Sequence, residues 1–177
     1  MVVNLFGVPG AGKSTGAAYI FSQLKMKGVN CELVTEFAKD KVWENTEEVF
    51  KNQAYIFGKQ SFKISRCYDK VDVVITDSPL PLSIFYNHDP RLTENFNNAV
   101  MDFYNSYKNM NYLLIRTKPY NSVGRIQTEA ESDQLKQPMI DLLNGRNILY
   151  KEEFGEIEGY DRIVSDILYQ LSQEVKS

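Results

Sequence analysis

Short apolar, β-branched runs alternate along this chain with stretches of helical period. The runs fall at Val2–Phe6, Cys31–Thr35, Val71–Thr76, Tyr112–Ile115 and Ile148–Tyr150. After the first run, Ala17, Ile20, Phe21 and Leu24 recur at i, i+3, i+4 and i+7, and Gly28 supplies a stop. Leu92, Phe96, Ala99, Val100, Phe103, Tyr104 and Tyr107 form a second helical stripe. Ile163, Val164, Ile167, Leu168, Leu171 and Val175 form a third. Residues 36–70 fit one bent helix or two. The runs are apolar throughout rather than alternating, which predicts parallel strands buried on both faces. Strand–helix alternation then predicts right-handed βαβ units in a three-layer α/β fold.

Composition narrows this picture. With 177 residues, 43% hydrophobic and 12% aromatic, the chain suits one domain with a full core and is not expected to be disordered. A net charge of −3 argues against a protein that coats duplex nucleic acid or a membrane surface. Cys31 and Cys67 form neither a CxxC pair nor a disulfide framework, so a reduced, cytoplasmic setting is expected. No apolar run reaches the length of a membrane span. The opening residues lack the basic and long apolar regions of a signal peptide.

The strongest chemical signal is Gly7-Val8-Pro9-Gly10-Ala11-Gly12-Lys13-Ser14-Thr15, a full match to G-x-x-x-x-G-K-[ST]. An apolar strand precedes it and an amphipathic helix follows, as the motif requires. The glycines let successive backbone N–H groups turn toward phosphate oxygens, and the helix N-terminus adds partial positive charge. The spacing assigns ATP phosphates to this loop, Lys13 to the β- and γ-phosphates, and the Ser14 hydroxyl to Mg²⁺.

Other segments decide between classes of phosphate-loop protein. Thr117-Lys118 is followed by Pro119-Tyr120, so the base-reading Asp of a GTPase is missing. Asp77 is followed by Ser78, Pro79 and Leu80, which removes both a Gly-containing switch and the second acid of a motor ATPase. A small kinase remains.

Asp77 ends the third run and Glu36 follows the second. Strand carboxyl ends face the ligand crevice of an open α/β sheet. Asp77 there suits Mg²⁺ or acceptor orientation, and Glu36 suits a base or a partner for an acceptor hydroxyl. Helix capping at Asp77 and a first-turn glutamate at Glu36 are the plain alternatives. Arg116 ends the fourth run, as a candidate for ATP binding. Arg125 lies in a polar stretch with Gly124, where a phosphate-clamping lid over about residues 117–135 is expected. Gln53, Phe57 and Gln60 fall on one helix face, and an amide pair with an aromatic suits a planar base. Packing is the default for Phe57, as it is for Trp43 and Tyr55, which are further acceptor-pocket candidates. His88, the single histidine, supports no metal cluster or triad.

The loop, Thr35-Glu36-Phe37-Ala38-Lys39-Asp40, the glutamine-bearing helix and Ile75-Thr76-Asp77-Ser78-Pro79 together resemble the small P-loop kinases. The nearest pattern is the ribosylnicotinamide-kinase-like branch with related phage-type ATP-binding proteins. A second resemblance is to deoxynucleoside kinases, whose Glu-Pro-Val-x-x-Trp segment is echoed by Glu36 and Trp43. Phe37 stands where they have proline, Trp43 comes two residues later, and the arginine they carry after the third strand is absent. Thymidylate kinases likewise carry an arginine there.

The resemblance implies a five-stranded parallel sheet of order 2-3-1-4-5 and transfer of the ATP γ-phosphate. One well-placed glutamate and few arginines favour a hydroxyl of a nucleoside-like acceptor. A nucleoside monophosphate is the next alternative, and a hydroxymethylated base in DNA or a nucleotide-dependent switch is more remote. Small-molecule partners are expected, and a homodimer is left open.

Overall fold

A computed structural model describes residues 1–37, 49, 51–120 and 128–174. At its centre β1 (Val2–Phe6) is buried along its whole length. It pairs in parallel with β3 (Val73–Thr76) on one side and β4 (Asn109–Ile115) on the other. Outside these lie β2 (Cys31–Val34) and β5 (Lys151–Phe154), also parallel, giving the order β2-β3-β1-β4-β5. This is the predicted topology.

The period-2 geometry of β1 feeds two cores. Val3 and Leu5 face α1 (Lys13–Met26) and α7 (Ile157–Glu174), where Ile20, Leu24, Ile163 and Ile167 are fully buried. Val2 and Phe6 face the opposite layer, with Ile64 of α2 (Gln53–Tyr68) and Val100 of α4 (Glu94–Asn105). Met139 and Leu143 of α6 (Lys136–Gly145) complete that layer. Two short helices, α3 (Leu82–Phe85) and α5 (Glu129–Gln134), follow β3 and β4 near the strand ends. No helix among the described residues is long and apolar enough to cross a membrane.

Several expected boundaries move. The fifth strand is Lys151–Phe154, not Ile148–Tyr150. Ile148 instead closes α6: Asn147 turns at φ 53, and the Ile148 N–H donates to the Leu143 carbonyl at 2.9 Å. That six-to-one bond, with both side chains buried, is a helix C-cap with its hydrophobic contact. Among the described residues β5 pairs with β4 alone, and its charged side chains suit such an edge strand. β3 begins two residues later than its apolar run and β4 three residues earlier. The extension of β4 is polar but satisfied: buried Asn4 donates through Nδ2 to Asn109 Oδ1 at 2.9 Å and Asn111 Oδ1 at 3.1 Å. Among the described residues, α5 and α6 lie between β4 and β5. Whether residues 36–70 hold a second helix lies outside the described residues, apart from α2.

Candidate active site

The carboxyl end of β1 delivers the phosphate loop, and Gly12 forms the N-cap of α1 at φ 92. This left-handed conformation favours glycine, and a Cβ there would stand 2.4 Å from the Tyr160 hydroxyl. Gly10 turns at φ 84, packed against Tyr120. Between them Ala11 is buried and donates its N–H to the Val8 carbonyl at 3.1 Å. The Lys13 ammonium folds back across the loop, donating to the Gly7 carbonyl at 2.7 Å and the Val8 carbonyl at 3.3 Å. Ser14 and Thr15 are exposed in the first turn of α1, which carries no acidic residue. The positive end of the helix dipole is therefore uncompensated and suits an anion.

On the adjacent strands, Asp77 is buried at 4% exposure and Glu36 is half-buried. The Asp77 Oδ1 accepts a hydrogen bond from the Glu36 backbone N–H at 2.9 Å. Gln60 of α2 ties the same two turns together. Its Oε1 accepts from the Phe37 N–H at 3.1 Å and its Nε2 donates to Thr76 Oγ1 at 3.3 Å. Thr76 Oγ1 also accepts the Ser78 N–H at 3.1 Å. Lys63 Nζ donates to the Thr35 carbonyl at 2.9 Å. The turn that carries Glu36 is thus held by three side chains, Gln60 and Lys63 of α2 and Asp77 just beyond β3.

Tyr86, just beyond α3, faces the same corner. Burial raises its hydroxyl well above the ordinary tyrosine value, and the Glu36 charge adds to this. Its ring meets Phe85 edge-on at 4.8 Å.

Arg116 lies beside the phosphate loop, its Cδ 3.6 Å from the place a Gly10 Cβ would occupy. The guanidinium stacks over Tyr120 at 5.4 Å and pairs with Asp133 and, at 3.4 Å, with Glu129. Those acids belong to α5, whose N-terminus is closed by a Thr128–Glu131 capping box. The fully buried Ser132 donates its hydroxyl to the Pro9 carbonyl at 2.7 Å, fastening α5 to the phosphate loop.

The other predicted residues are more scattered. Gln53 is buried at the start of α2. Phe57 packs edge-on against Phe96 and Phe103, at 5.8 and 5.5 Å, in the layer between α2 and α4. Trp43 and Arg125 lie outside the described residues, as do residues 121–127 of the expected lid. The sequence pattern pairs the Gln60 amide with that of Gln53 for a planar base, whereas in the structure Gln60 bonds the Phe37 N–H and Thr76 Oγ1. Tyr86, Ser132 and Tyr160 carry no such signal in the sequence, and the bonds of Ser132 to Pro9 and Tyr160 to Gly12 span more than a hundred residues.

No protein-family model matches the chain, and no curated protein does. Solved structures do. Deoxyadenosine kinase from M. mycoides, solved with the products dCMP and dCDP, aligns with a TM-score of 0.53 at 18% identity. That alignment covers 98% of this chain and 100% of the kinase. Thymidylate kinase from Ehrlichia chaffeensis aligns with a TM-score of 0.60 at 13% identity, over 97% of this chain and 98% of its own. Neither belongs to the ribosylnicotinamide-kinase-like branch. Together with the strand order β2-β3-β1-β4-β5 and the glycine loop at the end of β1, they identify the fold as that of the P-loop kinases.

Proposed function

We propose that the protein transfers the γ-phosphate of ATP to a hydroxyl of a nucleoside-like acceptor. The observation that carries this reading is the Glu36–Asp77 pair, held together at the carboxyl ends of neighbouring strands beside the phosphate loop. In the proposed step the acceptor oxygen attacks the γ-phosphorus and the bond to the β,γ-bridging oxygen breaks. ADP leaves, and the acceptor proton passes to the Glu36 carboxylate. Lys13 and the N-terminus of α1 balance the phosphate charge.

The exposed Ser14 hydroxyl and the buried Asp77 carboxylate are hard oxygen donors of the kind Mg²⁺ takes. An Mg²⁺ ion bound there with ATP would neutralise charge on the β- and γ-phosphates. Arg116 is assigned to the nucleotide and Arg125 to clamping the phosphates. Gln53, Phe57 and Trp43 are assigned to the acceptor, with the Phe57 ring, braced by Phe96 and Phe103, as a wall.

A nucleoside monophosphate is the second reading, supported by the higher TM-score of the thymidylate kinase. Incubation with labelled ATP, Mg²⁺ and parallel panels of nucleosides and monophosphates separates the two. The expected result is a labelled monophosphate, and labelled diphosphates alone would favour the second reading. No labelled product from either panel overturns both and leaves a nucleotide-binding switch. Glu36→Gln is expected to lower kcat by about 10²–10⁴-fold, and unchanged turnover would remove its role as base.

A further inference from the structure

Tyr160 lies in the first turn of α7 at 1% exposure, yet its hydroxyl reaches the phosphate loop. That hydroxyl donates to the Gly12 carbonyl at 3.0 Å. The Gly12 carbonyl oxygen also accepts the Gly16 N–H at 2.7 Å, so both of its lone pairs are engaged. The tyrosine fills the space that side chains would need at two glycines. A Cβ on Gly12 would stand 2.4 Å from its hydroxyl, and one on Gly16 would stand 2.6 Å from its Cε1. Tyr19 braces the ring at a centroid distance of 5.9 Å and bonds Asp161 through its own hydroxyl at 2.7 Å.

The orientation of one peptide follows. A trans peptide sets its C=O and N–H antiparallel. With the Gly12 carbonyl anchored on Tyr160, the Lys13 N–H points the other way, out of the N-terminus of α1. That is the direction from which helix N–H groups receive phosphate oxygens. Gly12 has no Cβ and a left-handed φ, so without the tyrosine this peptide would be held at its carbonyl by the Gly16 N–H alone.

We propose that Tyr160 is a positioning residue for phosphate binding, acting through the Gly12 carbonyl to hold the Lys13 N–H in the cradle. The proposal rests on the reading of residues 7–15 as a phosphate cradle and adds to it a residue from the far end of the chain. Loss of the hydroxyl weakens only ligands that carry phosphates, equally in ground and transition states, so nucleotide KM rises while kcat and acceptor KM hold.

The test compares wild type, Tyr160→Phe and Tyr19→Phe by calorimetric titration with tripolyphosphate, ADP and ATP. Tyr160→Phe is expected to weaken all three about 2–12-fold, the range of one net hydrogen bond. Tyr19→Phe, which removes a hydroxyl from the same aromatic pair, is expected to bind as wild type does. Gly16→Ala, whose Cβ must displace the Tyr160 ring, is expected to show the same phosphate-selective loss. A packing role alone would lower the urea midpoint of Tyr160→Phe and leave the affinity of folded protein intact, and that result overturns the proposal. Wild type that binds none of the three ligands overturns the cradle reading together with it.

Discussion

Asp77 positions Glu36 through the backbone: one carboxylate oxygen accepts the amide N–H of the other acid at 2.9 Å, across 41 residues of sequence. Asp77 therefore has two separable properties, its charge and its acceptor. Asp77→Asn keeps an acceptor for the Glu36 N–H and removes the charge. Asp77→Ala removes both and leaves the N–H unpaired, at a cost of about 1–3 kcal/mol. The lower end applies because Glu36 is only half-buried. Urea unfolding should place Asp77→Ala clearly below Asp77→Asn, with turnover lost in both. Equal midpoints would mean that the bond holds nothing.

Gln60 makes the same kind of link from α2. Buried at 2% exposure, it satisfies the Phe37 N–H and Thr76 Oγ1 together. Gln60→Leu keeps the volume and strands the Phe37 N–H, at about 1–3 kcal/mol. Gln60→Glu retains the acceptor and should recover part of that loss in the same unfolding assay. If the acceptor KM of Gln60→Leu stays at the wild-type value, the clamp does not set the position of Glu36.

At Gly12 the backbone and the space around it impose the same choice. Gly12→Ala places a Cβ against the Tyr160 hydroxyl in a left-handed conformation that costs roughly 1–2 kcal/mol by itself. Removing the hydroxyl relieves the steric part and not the conformational part. The double variant Gly12→Ala/Tyr160→Phe should thus be less destabilised than the sum of its single changes, by about 0.5–3 kcal/mol. Strict additivity would show that the two groups do not meet.

Tyrosine ionisation gives a pH test. Burial pushes the hydroxyls of Tyr86, Tyr104, Tyr112 and Tyr160 above the ordinary value near 10, and nearby charges add to this at Glu36, Asp166 and Glu156 for the first, third and fourth. The folded state keeps these protons at a pH where the unfolded chain loses them. Their contribution is full below about pH 10 and is lost as pH rises beyond it. These four buried tyrosines should ionise only together with loss of circular dichroism. A single smooth titration with the fold intact would contradict these burials.

The phosphate loop was legible because its chemistry demands particular residues at adjacent positions, and β1 and α1 flank it within the same stretch. Glu36 and Asp77 were legible as strand-end acids, since an apolar run points to where it stops. Their hydrogen bond was not, because nothing in local spacing reports a contact across 41 residues. β5 was misplaced for a physical reason: an edge strand needs no apolar run, while a helix cap such as Ile148 does need an apolar side chain. The first residues of β4 were hidden by asparagines, whose amides read as loop until Asn4 supplies the cross-strand partner.

The bond between Tyr160 and Gly12 spans 148 residues and joins nearly the two ends of the chain. Contacts of such separation form late, after most of the loop-closure entropy has been overcome. The phosphate loop is translated well before α7, yet on the role proposed for Tyr160 its backbone takes its final orientation only when α7 docks. On the proposed reading, nucleotide affinity would report completed folding. A nascent chain that already has β1 and α1 but lacks α7 carries the motif without the site.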